Sequence, residues 1–81
     1  MQIGTVCGSV WATKKTPGLN GTALLIVRTK NSEIIAADTV GAGIGDTVLL
    51  MFGGAARELT CTDAAICGII DCKRKEDEYE Y

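Results

Sequence analysis

Residues 39–54 read Thr-Val-Gly-Ala-Gly-Ile-Gly-Asp-Thr-Val-Leu-Leu-Met-Phe-Gly-Gly, a glycine-spaced corner that enters an unbroken apolar run and stops at a glycine pair. A dinucleotide fold needs G-x-G-x-x-G between a strand and a helix, so that the helix N-terminus meets the pyrophosphate. Here Gly41, Gly43 and Gly45 give G-x-G-x-G, and the continuation through residues 47–52 reads as a strand. No G-x-x-x-x-G-K-[ST] occurs either. The cluster is therefore read as a tight β-corner, its glycines freeing the backbone for positive φ or close approach.

Working outward, residues 2–13 alternate loosely, with Ile3, Cys7 and Trp11 on one side and Val6, Val10 and Ala12 on the other. Apolar groups on both sides and a Val/Thr-rich run predict a long, twisted strand. Residues 14–21 carry Pro-Gly and Asn-Gly, both turn dipeptides. Residues 23–29 and 33–38 read as strands joined by a short hairpin at residues 30–32. After Gly53-Gly54, residues 55–59 suit a short helical turn. Residues 64–72 close the body as a fifth strand, with Ile66 and Ile70 on one face and Cys67 and Ile69 on the other. A strand apolar on both faces must be covered on both. In a small barrel one face fills the interior, and the other needs a neighbour. A helix over residues 63–70 fits the same apolar run. Taken together, the elements predict an all-β, five-stranded, OB-like closed β-barrel with one short helix.

Eighty-one residues allow one small domain. The longest apolar-plus-glycine run, residues 48–56, is far below the ~20 residues of a membrane-spanning helix. No basic segment precedes an apolar stretch at the N-terminus, so the reading is a soluble, cytoplasmic protein without membrane contact. Of 18 charged side chains, seven lie in the last nine residues, leaving 11 for residues 1–72. That is about 15%, against roughly 25% in an ordinary soluble domain. Small domains need charged surface, so this deficit predicts that part of the surface meets copies of itself or a partner. The division is residues 1–72 as barrel and residues 73–81 as a charged tail. In that tail Lys73–Asp77 and Arg74–Glu78 have helical spacing but the weaker orientation. Nine residues are too few for an independent helix, and the tail is expected to be mobile.

The residue inventory argues against catalysis. Histidine is absent, which removes the commonest metal ligand and general base together. Cys7, Cys61, Cys67 and Cys72 do not have the paired C-x2–4-C spacing of a zinc site and read as small hydrophobes. No cofactor or metal is expected. Asp38, Asp46, Asp63 and Asp71 sit at strand ends and glycine corners, where carboxylates hold turns by accepting backbone N–H groups. OB barrels often bind single-stranded nucleic acid through a positive groove and stacking aromatics. Lys14, Lys15, Arg28 and Lys30 are candidates for such a groove, but the pI is near 4.9 and two of four aromatics lie in the tail. Arg57 is the only cation between Lys30 and Lys73. It reads equally as a solvated arginine or as a fork at an interface or axial opening.

Four segments occur together in order: Met-Gln-Ile-Gly-Thr-Val-Cys-Gly-Ser-Val-Trp-Ala-Thr-Lys-Lys; Gly18-Leu19-Asn20-Gly21 leading to Leu24-Leu25-Ile26-Val27; Ala37-Asp38-Thr39-Val40-Gly41-Ala42-Gly43-Ile44-Gly45-Asp46; and Gly53-Gly54-Ala55-Ala56-Arg57 followed by Asp63-Ala64-Ala65-Ile66-Cys67-Gly68-Ile69-Ile70-Asp71. Over residues 1–72 the chain resembles the EutN/CcmL family, the pentameric vertex proteins of bacterial microcompartment shells. The resemblance implies a cyclic homopentamer, a non-enzymatic shell component that closes five-fold corners among hexameric microcompartment shell proteins in the bacterial cytoplasm. It places Gly53, Gly54, Ala55, Ala56 and Arg57 near the five-fold axis. Val40, Ile44, Arg57, Ile66 and Ile69 are the expected subunit-interface residues. Many relatives carry serine where Gly54-Ala55 stands, so this chain offers no hydroxyl there. An OB-type single-stranded nucleic-acid module is the alternative.

Overall fold

A computed structural model describes residues 1–11, 16–17 and 21–71. Five strands form: β1 (Gln2–Val10), β2 (Leu24–Arg28), β3 (Glu33–Asp38), β4 (Thr47–Phe52) and β5 (Ala64–Ile69), with helix α1 (Gly53–Leu59) between the last two. They close into a barrel in the order β1-β2-β3-β5-β4. The helical option for residues 63–70 is thereby excluded, and residues 64–69 run as a strand against β4. Residues 12–13 and 72, included in the predicted first and fifth strands, lie outside the described residues, as does the whole tail.

β1 is the longest strand because it serves two neighbours. Its first half pairs with β4, from Gln2↔Leu50 to Thr5↔Thr47, and its second half with β2, up to Val10↔Leu24. A row of partners that starts at Val10 passes Leu24, Ala37, Ala65 and Met51. It returns to β1 beside Gln2, at the opposite end of the strand. That stagger is the shear through which a few strongly tilted strands enclose a core. An irregularity between Val6 and Gly8 re-phases β1. It puts Cys7 in the bulge, so the simple alternation of Ile3, Cys7 and Trp11 on one face is interrupted there.

Inside lie Val6, Leu25, Val27, Ala36, Val48, Leu50 and Ile66, with Ile34, Ala42 and Ala64 packed against them. Ala37, Ala65 and Ala56 are equally buried yet lie outside that cluster. Ala37 and Ala65 are direct cross-strand partners, and α1 packs on β4 and β5. The small, fully buried Ala56 side chain lets the helix lie close against the barrel wall.

Gly4 is required by close approach. A Cβ there would stand 2.5 Å from Val27 Cγ1 and 2.9 Å from the Arg28 carbonyl oxygen, and the second contact is backbone that cannot rotate away. Gly54, in contrast, has nothing within 4 Å of a Cβ and sits in α1. Gly4→Ala is expected to cost about 1–3 kcal/mol by overpacking. Gly54→Ala is expected to be neutral or to stabilise by up to ~1 kcal/mol through helix propensity. Urea unfolding of the two variants at one protein concentration checks this, and equal midpoints would contradict the close approach of β1 to β2.

Candidate assembly surface

The β3–β5 contact is parallel and consists of only Ala37↔Ala65 and Asp38↔Ile66. Beyond it, the edge of β5 is met by the loop at residues 39–46. Thr39 Oγ1 donates to the Ile66 carbonyl at 2.6 Å. The Asp38 carboxylate accepts three successive amides, Val40 and Gly41 on Oδ1 and Ala42 on Oδ2, at 3.0–3.1 Å. Asp46 Oδ2 accepts the Gly43 amide at 2.8 Å. The far side of the loop joins β1, where Val6 N–H donates to the Asp46 carbonyl and Gly45 N–H to the Val6 carbonyl. Gly45 has φ +94°, which side-chain-bearing residues rarely adopt. Asp38 and Asp46 therefore do what their positions predicted, and hold the glycine corner.

This scaffold sets two apolar side chains into solvent: Ile44 is 75% exposed and Val40 is 40% exposed. Ile69, on the adjoining part of β5, is 49% exposed. Its partner is Val48, which is buried, so Ile69 faces the interior side but lies past the end of β3, where no strand covers it. Ile66 is corrected. The register shift between Leu49 and Leu50 takes up Cys67 as an extra residue and aligns Ile66 with Leu50. Ile66 is thus fully buried in its own barrel and has no surface to offer a neighbour.

The second group lies elsewhere. β4 leads from the loop at Thr47 to α1 after Phe52, roughly 20 Å of extended chain. Arg57 is thereby set at the opposite end of the barrel from Val40, Ile44 and Ile69. Within the glycine–alanine stretch, Gly54 and Ala55 are exposed, Gly53 is half-buried and its N–H donates to the Asp63 carbonyl, and Ala56 is fully buried. Ala56 has no side-chain surface with which to line an opening. Arg57 is exposed and its Nη1 forms an ion pair with Asp63 Oδ1, so the fork has a partner in its own chain.

Exposed apolar positions that the sequence reading did not assign to a contact include Ile35 and Ile3 on the strands. Ile35 on β3 is 54% exposed and pairs across the sheet with half-buried Ile26, and Ile3 is also largely exposed. Their signal was present as strand alternation, but on strands apolar on both sides alternation does not say which side is inner. Among the described residues no group of three His, Cys, Asp or Glu side chains could hold a metal ion. The Cys7 and Cys67 thiols rest near backbone carbonyls, those of Ile26 and Leu49. No helix of the described residues is long and apolar enough to cross a membrane.

Residues 1–71 match the family model described as "Ethanolamine utilisation protein EutN/carboxysome". The bacterial microcompartment shell vertex protein GrpN of Rhodospirillum rubrum is 39% identical over 88% of this chain and 93% of its own length. The carboxysome shell vertex protein CcmL of Synechocystis is 41% identical over 88% of this chain and 83% of its own. Among solved structures, the pentameric GrpN shell protein superposes with a TM-score of 0.83 at 38% identity, covering 93% of this chain and all of that one. CcmL of Gloeobacter violaceus gives 0.84 at 35% identity, with 95% and 92% covered.

Truncating Asp38 removes the acceptor of three amides at once, whereas the Arg57–Asp63 pair is largely solvent-exposed. Asp38→Ala is expected to cost about 1–3 kcal/mol and to speed hydrogen exchange at Val40, Gly41 and Ala42. Arg57→Ala is expected to cost less than ~1 kcal/mol of barrel stability. Denaturation and amide exchange check the pair, and the reverse ranking would overturn this account of the loop.

Proposed function

The chain belongs to the EutN/CcmL family, and on that premise we propose that it is a structural vertex protein of a bacterial microcompartment shell, acting as a cyclic homopentamer. The observation that carries the reading is the match of the whole barrel to a solved pentameric shell protein at 38% identity. Supporting it, the closed barrel leaves Ile3, Ile35, Val40, Ile44 and Ile69 substantially in solvent on one small chain. A cyclic ring needs two different, mutually complementary surfaces on each copy. Apolar side chains at separate places on the barrel meet that requirement, whereas a single patch would favour a two-fold dimer.

In this reading Val40, Ile44 and Ile69 contribute to the contact between copies, and the exposed part of the Gly53–Arg57 stretch lies toward the five-fold axis. Arg57 arrives there already neutralised by Asp63, so the axis does not gather five uncompensated positive charges. The role is mechanical: a five-fold piece introduces closure among flat hexameric shell tiles, needs no cofactor and turns nothing over. The place of action is the shell of a microcompartment in the cytoplasm. The single-stranded nucleic-acid alternative gains no support among the described residues. Of the four cations named for its groove, Lys14 and Lys15 lie outside those residues, and Arg28 is ion-paired with Glu33.

Native mass spectrometry under reducing conditions is expected to give a dominant five-copy species near ~42 kDa, as copies of an 8.5 kDa chain joined by a stable interface. Ile44→Asp and Val40→Asp are expected to shift that species to the single chain at micromolar concentration while far-UV circular dichroism stays unchanged. Co-expression with hexameric tiles is then expected to give closed shells with the parent chain and open ones with the variants. A parent chain that remains single at all concentrations would refute the ring.

A further inference from the structure

On the outer wall of the barrel, cross-strand pairing sets Ile3, Leu49 and Gly68 side by side on β1, β4 and β5. Val48 and Leu50, on either side of Leu49 in the chain, belong to the core, so Leu49 and the residues paired with it face outward. A second row sets Gly8, Ile26 and Ile35 side by side on β1, β2 and β3. Here too the flanking Leu25, Val27 and Ala36 are core residues. Both rows are apolar throughout. Each has an exposed isoleucine at one end, Ile3 at 48% and Ile35 at 54%, a half-buried Leu or Ile in the middle, and a glycine at the other end.

Nothing within the chain requires either glycine. Neither has a positive φ. A Cβ on Gly68 would meet only ordinary contacts, Ile70 Cγ2 at 3.9 Å and Leu49 Cβ at 4.0 Å. A Cβ on Gly8 would come no nearer than 3.4 Å, to the movable Cδ1 end of Ile26. The neighbouring bulges do not call for them, since the extra residues there are Cys7 and Cys67. Glycine inside a strand weakens it, and one of its uses is to let something outside approach closely.

The two rows fit one another. Laid face to face, the isoleucine end of each meets the glycine end of the other, a bulky group over a hollow at both ends. Charge does not bar the approach. Thr5, Thr47 and Met51 flank the first row, and Arg28 and Glu33, which border the second, are ion-paired to each other at 3.2 Å. The rows also lie on different walls, one toward β4 and β5 and the other toward β2 and β3. One copy can therefore hold a neighbour on each, as a cyclic assembly requires. Ile69 directly follows Gly68, so the first row continues the surface at Val40, Ile44 and Ile69.

We infer that these rows are the two halves of one contact between copies of this chain. The row Ile3–Leu49–Gly68 of each copy lies on the row Gly8–Ile26–Ile35 of the next, with Ile3 seated over Gly8, Leu49 against Ile26, and Ile35 over Gly68. The inference rests on the ring reading above and names the surfaces through which the ring closes.

Exchanging sizes at one seat tests it. Gly68→Val places a branched side chain where Ile35 of the next copy sits, at a strand position that favours Val and has room for it within its own barrel. Native mass and sedimentation are followed over a range of concentrations, with far-UV circular dichroism to monitor the barrel. Gly68→Val is expected to raise the concentration for half-assembly at least about ten-fold. Gly68→Val/Ile35→Ala is expected to recover most of that loss, and Gly68→Val/Ile3→Ala is not. Ile35→Asp reads the same seat without altering the glycine, and is expected to give single chains at micromolar concentration. A parent ring that neither Gly68→Val nor Ile35→Asp weakens would overturn the proposal and leave the vertex reading standing. Rescue by Ile3→Ala in place of Ile35→Ala would overturn the seating. A parent ring of other than five copies that responds as expected would leave this contact standing and remove the vertex reading. A parent chain single at all concentrations would remove both.

Discussion

Closure of the barrel depends on a join that the strands themselves only half make. β3 and β5 share two residue pairs, and past Ile66 the edge of β5 would present unpaired backbone to solvent. An open edge of that kind is a template for uncontrolled pairing. Here the loop at residues 39–46 meets β5 at Ile66, and one carboxylate, Asp38, fixes the path by accepting three amides in succession. Thr39 ties the loop to β5, and Asp46 and Gly45 tie it to β1. The positions of Val40 and Ile44 follow from that path: along it the small Ala42 turns onto the core, and its larger neighbours Val40 and Ile44 stay in solvent.

Much of this was legible in the sequence because local chemistry and the global fold agree. The glycine corner feeding an apolar run, the two turn-rich stretches and the strand-forming composition give five strands in the right order. The aspartates at corner positions were readable as turn holders for the same reason. The β5 surface was less legible. Alternation puts Ile66 and Ile69 on opposite faces but says nothing of which is inner. The bulge that aligns Ile66 with Leu50 is visible only once β4 is in place. Ile35 went unnoticed because β3, rich in Ile and Ala, is apolar on both of its faces. Ala56 has a different cause: its neighbours Gly54 and Ala55 are exposed, and only the packing of α1 on the sheet distinguishes it from them.

The size of the core explains why so much apolar surface is left over. Among the described residues, five strands of this stagger enclose a central cluster of seven side chains, several of them Val or Ala. A core that small does little more than offset the entropy of ordering the chain. Enlarging it would require longer strands or another layer. The alternative is to extend the apolar interior across a subunit boundary, which needs exposed Ile and Val at defined places and few charges around them. The charge-poor body and the exposed Ile35, Ile44 and Ile69 are two consequences of the same constraint.

The separation of the two candidate groups then has a geometric meaning. Val40, Ile44 and Ile69 sit at the end of the barrel where β4 begins, and Gly54, Ala55 and Arg57 at the end where it finishes. A rigid barrel between them transmits no choice of angle: whatever tilt the first group imposes on a neighbour, the second group inherits. In the ring proposed above, the geometry of closure then follows from the barrel's shape and from the loop that Asp38 holds. Arg57, exposed and already paired with Asp63, has freedom to vary its interactions without disturbing the barrel. The Asp38 loop has no such freedom, because a shift of its path moves Val40 and Ile44 together.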